Sequence, residues 1–285
     1  MAIRRRFLPR GWYPDEGESL RYLVSAWTKE TPSLRGGAIA AVAPHAGWSF
    51  SGRLAALAVS SLSPLREAST VAVFGGHLPP GARPLAARET TFETPLGPLR
   101  SDLELLSALE SELGRGEGRR VLGADDESDN TVEVLLPLIA AILPGTRVLW
   151  LRSPNDGYSI ELGEALAAAA LSLGRSLACL GSTDLTHYGP NYGFSPKGRG
   201  PAAEAWVRDT NDRRFIEALL ALDGAEALRL GESERSACSA GAAVAALAFA
   251  RAAGASRAEL LEYATSLDAR QDDSFVGYAA LGFFS

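Results

Sequence analysis

The 285-residue chain contains three histidines, and each follows an apolar run. His45 comes after residues 38–43 (AIAAVA), His77 after residues 70–74 (TVAVF), and His187 after residues 176–181 (SLACLG) and a short polar segment. Any one of them alone reads as a turn-capping residue. Their shared position predicts more, because ligands bind outside the carboxyl ends of strands in open α/β sheets, where three histidines can meet in one crevice. Neutral imidazole is the commonest metal-ligating side chain, and two or three on rigid strand ends suit zinc, iron or copper.

Cys238 is the natural further ligand. It lies in RSACSAG, directly before an apolar helical stretch, where the helix dipole and Arg235 favour its thiolate for metal binding or reaction. Cys179, inside SLACLG, reads instead as a small buried hydrophobe. Glu133 is the only charged residue in TVEVLLPLI, so it needs a partner, acts as an acid or base, or faces water from a helix start. Asp184 precedes His187 by three residues, close enough to orient that imidazole or share its proton; its plainer reading is a turn-forming aspartate. Asp272 and Asp273 read as a solvated turn.

The elements that must position these groups alternate. Residues 38–43, 70–74, 147–151 and 176–181 are apolar runs expected as buried strands, and 260–264 and 276–284 as closing strands. Helical spacing appears over 51–62, 102–113 (with Asp102 as cap) and 160–173, and helices are expected through 201–230 and 239–253. This order predicts an α/β fold, a three-layer sandwich with a mostly parallel central sheet flanked by helices. No repeat or linker divides it, so one domain over 1–285 is expected, with the Gly/Pro-rich loop 188–200 as a lid.

Twenty-eight Lys and Arg against 34 Asp and Glu leave a net charge of −6, so no basic surplus points to nucleic acid. Apolar residues make up 46% and charged residues 22%, ordinary globular values. No apolar run reaches the roughly 20 residues of a membrane span, and the first ten residues do not read as a secretory signal. With two cysteines giving no disulfide framework, a cytoplasmic protein is expected. P-loop, dinucleotide-binding GxGxxG, HExxH and GxSxG signatures are absent.

Taken in order, GWYP (11–14), APHAGWSFSG (43–52), STDLTHYG (182–189), Cys238 ahead of its helix and VGYAA (276–280) resemble the Memo family, whose bacterial and archaeal members are called AmmeMemoRadiSam system protein B. The resemblance implies a fold shared with class III extradiol dioxygenases, in which two histidines and a carboxylate hold non-haem iron(II). It further implies a pocket of two histidines and a cysteine, here His45, His77 and Cys238, with Asp184 and His187 beside them and Glu133 in the family's glutamate position. One transition metal is expected, iron(II) first, with zinc or copper as alternatives. The implied activity is an oxidoreductase acting on a small, catecholic substrate. The other reading is an accessory protein that binds a peptide or a radical-SAM partner. His187 is assigned to proton transfer with Asp184 and Glu133, since a metal-bound nitrogen cannot exchange its proton. The chain departs from the family pattern at Asn130 and Leu135, which replace polar or histidine positions and predict a pocket wall poorer in hydrogen bonds. A further departure is Phe74-Gly75-Gly76-His77 in place of Gly-Pro-x-His.

Overall fold

The structure, a computed structural model, describes residues 2–29, 37–62, 69–115 and 121–285. Its main sheet runs in the spatial order His187–Tyr188, Phe275–Phe284, Ala40–Ala43, Leu177–Ser182, Thr70–Leu78, Arg147–Pro154, Leu85–Ala86 and Gly123–Ala124. Arg257–Thr265 pairs with Phe275–Phe284 as well.

The four inner strands from Ala40–Ala43 to Arg147–Pro154 are parallel, as the alternation of strands and helices requires. The flanks differ from the expectation. Phe275–Phe284 is antiparallel to all three of its partners; against Arg257–Thr265 the short 266–274 connection requires that direction. Leu85–Ala86 is likewise antiparallel to Arg147–Pro154. The sheet is therefore mixed, with a parallel centre.

Alternate side chains of each inner strand enter two separate cores. Val42, Phe74, Leu149 and Cys179 face one, with the helices Leu103–Leu113, Tyr158–Ser172 and Ala240–Ala252. Ala41, Val73, Trp150 and Leu180 face the other, with Gly17–Lys29, Trp48–Ser61 and Leu136–Ile142. That period-two partition makes the three layers. Asp102 caps its helix as expected, accepting from the Leu105 amide at 3.1 Å.

Ala240–Ala252 is packed closely against the sheet. Its sequence, AGAAVAALAFARA, has few large side chains, and a Cβ at Gly181 would stand 2.6 Å from the Ala242 carbonyl oxygen. Small residues on both partners let the helix lie directly on the sheet, which brings Cys238 over the strand ends. The expected helical region 201–230 is real but broken: Pro201–Trp206 runs through a π-helical turn, Val207–Asn211, into Asp212–Leu220, and Gly224–Ser233 follows. No helix among the described residues is long and apolar enough to cross a membrane.

Candidate metal centre

His45 leaves the end of Ala40–Ala43 and is buried. Its amide donates to Asp184 Oδ1 at 2.7 Å, and its ring Nδ1 lies 3.0 Å from Ser182 Oγ. The Ser182 hydroxyl gives its proton to the Thr131 carbonyl at 2.5 Å, so toward His45 it can only accept. Nδ1 therefore carries the ring proton of a neutral His45. That leaves Nε2 with a free lone pair, 3.3 Å from Cys238 Sγ.

His77 sits where its strand deforms. Its φ is +61°, a left-handed conformation that is rare outside glycine, and the pairing with Arg147–Pro154 shifts register between Gly75 and Leu78. The glycine before it is a steric necessity, since a Cβ on Gly76 would stand 2.0 Å from Ser239 Oγ. The His77 amide donates to that same oxygen at 3.2 Å. Its Nδ1 is 2.9 Å from Asp129 Oδ2, which fixes the tautomer and again leaves Nε2 for a ligand.

Asp129 is itself held by the Thr131 amide at 2.9 Å and by Arg152, 3.5 Å away. Buried Arg152 also reaches Glu127 at 2.7 Å and donates to the Gly76 carbonyl at 3.0 Å. Burial opposes charge on both members of the His77–Asp129 pair. Even so, hydrogen bonds to Asp129 and Cys238 raise His77 to about 10, and those from His77 and Thr131 hold Asp129 well below the carboxylate range.

Cys238 completes the group. Its amide donates to the Asp184 carbonyl at 3.2 Å and its carbonyl accepts from Asn155 at 3.3 Å, so the sulfur is set from both sides. The candidate ligand atoms of His45, His77 and Cys238 lie within 4.8 Å of one another. Burial alone would push the thiol up, but the surrounding histidines hold it well below its ordinary value. For His45, burial is likewise outweighed, by Cys238 and Asp184, and its pKa is raised. Two imidazoles with Nδ1 engaged and one thiolate form the donor set that zinc, copper or iron takes, and they fit a single transition-metal ion.

His187 lies beside Cys238 but is not one of the three converging ligands. Its Nε2 has no hydrogen-bond partner among the described residues; Asp184 Oδ2 lies 3.9 Å away, and the ring meets Tyr192 edge-on with centroids 4.8 Å apart. Buried Asp184 thus touches His45 through its amide and faces His187 with its second oxygen. Burial pushes the Asp184 carboxyl up, and it lowers His187 less than Cys238 and Asp184 raise it. His45, His77, Asp184 and His187 line a cavity of about 650 Å³, whose wall also includes Trp12 and Arg270.

Glu133 is placed differently from the expectation of an acid or base. Its carboxylate accepts from the Phe7 amide at 2.9 Å, the Leu8 amide at 2.9 Å and Tyr13 Oη at 3.0 Å, and it is not among the residues lining the cavity. It pins the segment that carries Pro9–Trp12 into the cavity wall. Asn130 does line the cavity and donates to the His45 carbonyl at 3.0 Å, so that replacement keeps a polar group there. Leu135 is fully buried in the core. Asp272 lines the cavity, whereas Asp273 pairs with Arg199 at 2.8 Å. In the 188–200 loop, Asn191 and Tyr192 contribute to the wall. Asp129, Arg152 and Ser182, which set the two histidines, are not among the residues expected from the sequence; Asp129 carries a sequence signal, standing directly before a short helix as its cap.

A family described as "Memo-like protein" matches residues 9–282 of the chain. A protein named "MEMO1 family protein" from Pyrococcus furiosus is 31% identical, covering 98% of this chain and 98% of that protein. Another from Methanopyrus kandleri is 31% identical over 95% of each chain, and one from Pyrococcus horikoshii is 30% identical over 98% of this chain and 99% of its own.

Proposed function

The chain belongs to the Memo-like family, and from that premise we propose that it is a metal-binding oxidoreductase acting on a small, catechol-like substrate. His45, His77 and Cys238 hold one transition metal, iron(II) in the first instance. The observation that carries this reading is the convergence of two Nδ1-anchored imidazoles and a depressed thiol at the carboxyl ends of parallel strands. A bound ion of this kind supplies Lewis acidity and, for iron, electrons for redox chemistry.

The protein's own part is binding and proton transfer. The cavity in front of the trio has room for a substrate of one or two rings, with Arg270 and Asn130 offering donors. His187, whose buried Nε2 lacks a hydrogen-bond partner among the described residues, takes a proton from a substrate hydroxyl, and Asp184 stabilises the imidazolium that results. With Nε2 of His45 and of His77 turned to the metal and their Nδ1 protons held by Ser182 and Asp129, His187 is the imidazole left to take that proton.

Anaerobic loading with iron(II), metal analysis and an oxygen-electrode screen against catechols test the proposal. One metal per chain with oxygen uptake supports it. Metal without uptake, together with a stable complex with a radical-SAM enzyme, would move the function to an accessory role.

A further inference from the structure

The loop that carries His187 is fastened by a carboxylate that the chemistry above does not use. Asp212 is fully buried. Its Oδ1 accepts from the Thr186 amide at 3.0 Å and the Thr186 hydroxyl at 2.5 Å, and its Oδ2 accepts from Tyr263 Oη at 2.8 Å. Its neighbour Asn211 donates to Thr186 Oγ1 at 2.9 Å and to the Glu234 carbonyl at 3.1 Å. Two consecutive side chains thus converge on one threonine. The π-helical turn Val207–Asn211 ends at this point, and such turns recur at functional sites.

The opposite side of the loop is held by Phe275–Phe284. The Leu185 amide donates to the Gly277 carbonyl at 2.8 Å, and the Gly277 amide to the Thr186 carbonyl at 3.0 Å. Only glycine fits there, because a Cβ at position 277 would stand 1.9 Å from Asp212 Oδ2. Thr186 is the residue directly before His187, so the bonds to its amide, hydroxyl and carbonyl act on the segment that leads into the imidazole. An ionisable acid is an expensive way to fasten a loop in the interior. Burial raises Asp212 to about 7 despite the Thr186 and Tyr263 hydrogen bonds, while the charge of nearby His187 favours its ionised form.

We propose that Asp212 is a positioning residue for His187: acting through Thr186, it fixes the loop that presents the imidazole to the metal cavity. The proposal deepens the reading of His187 as the proton carrier and rests on it, but its test does not require turnover.

The zinc-loaded full chain is compared with Asp212→Asn, Thr186→Val and Thr186→Ser by imidazole NMR, which has three rings to resolve. In Asp212→Asn and Thr186→Val, the His187 ring signals should shift or broaden. His45 and His77 signals, and zinc content, should match the parent. Thr186→Ser, which restores the hydroxyl, should return the His187 signals to their parent positions. If a substrate is found, kcat should fall in the first two variants with KM little changed. Unmoved His187 signals in both variants would overturn the proposal, as would equal disturbance of all three rings. Should Asp212→Asn fail to fold, Thr186→Val decides alone. A protein without turnover but with the expected spectra would discard the enzymatic reading and keep the positioning role.

Discussion

Under the proposed function, the two sides of the cavity use the same residue type for opposite ends. On the strand-end side, His45 and His77 each have Nδ1 committed, to Ser182 and to Asp129, with the other nitrogen left toward Cys238. On the loop side, His187 has an uncommitted Nε2, a carboxylate 3.9 Å away and an aromatic ring to rest on. What holds the second nitrogen decides the role. A locked tautomer presents a lone pair to a metal, and an open one can exchange a proton.

That contrast can be broken by mutation. The largest effect belongs to the trio: His45→Ala or Cys238→Ala should abolish stoichiometric metal in elemental analysis, and full occupancy in either would show the ligands to be misassigned. His187→Ala should leave metal content at the parent level while lowering turnover by about 10²–10⁴-fold, the usual span for a general acid–base. Loss of metal there would turn the site into a three-histidine centre. Asp129→Asn should keep the ligands but loosen His77, weakening affinity about 10–100-fold in a chelator competition.

Smaller effects sharpen the loop side and the wall. Asp212 has a folded pKa of about 7 against an ordinary 3.8, so between those values the native state keeps a proton that the unfolded chain has lost. Its contribution to stability is complete below about 3.8 and disappears as pH rises through about 7. Melting temperatures measured from about pH 5 to about pH 8 should therefore fall less steeply in Asp212→Asn than in the parent. Glu133→Gln should leave metal content and turnover unchanged. It should cost about 1–3 kcal/mol in denaturant unfolding, since the amide replaces an acceptor of backbone hydrogen bonds.

Much of this was legible in the sequence. Apolar runs marked the inner strands, and the three histidines after them marked the cavity, because strand ends in an α/β sheet point to one edge. The antiparallel flank was less legible: residues 260–264 and 276–284 read as strands, but their direction depends on the connections that join them to their neighbours. The two-residue strands Ile3–Arg4, Thr91–Phe92 and Leu99–Arg100 are too short to show any period. Gly17–Lys29 did carry a signal, the stripe Leu20, Leu23, Val24 and Trp27 at helical spacing, which went unread. Glu133 misled for a physical reason. Its isolation among apolar residues reported burial, and burial requires a partner; the partner is the backbone of Phe7 and Leu8, supplied from more than a hundred residues away. Asp129, four residues earlier, looked like an ordinary loop acid and is the one that holds a candidate ligand.

X-ray absorption at the metal edge of the zinc-loaded protein tests the central assignment most directly. The account predicts two imidazole nitrogens at roughly 2.0–2.1 Å and one sulfur at about 2.3 Å, unchanged by His187→Ala. A first coordination sphere with three imidazoles, or one without sulfur, would contradict it.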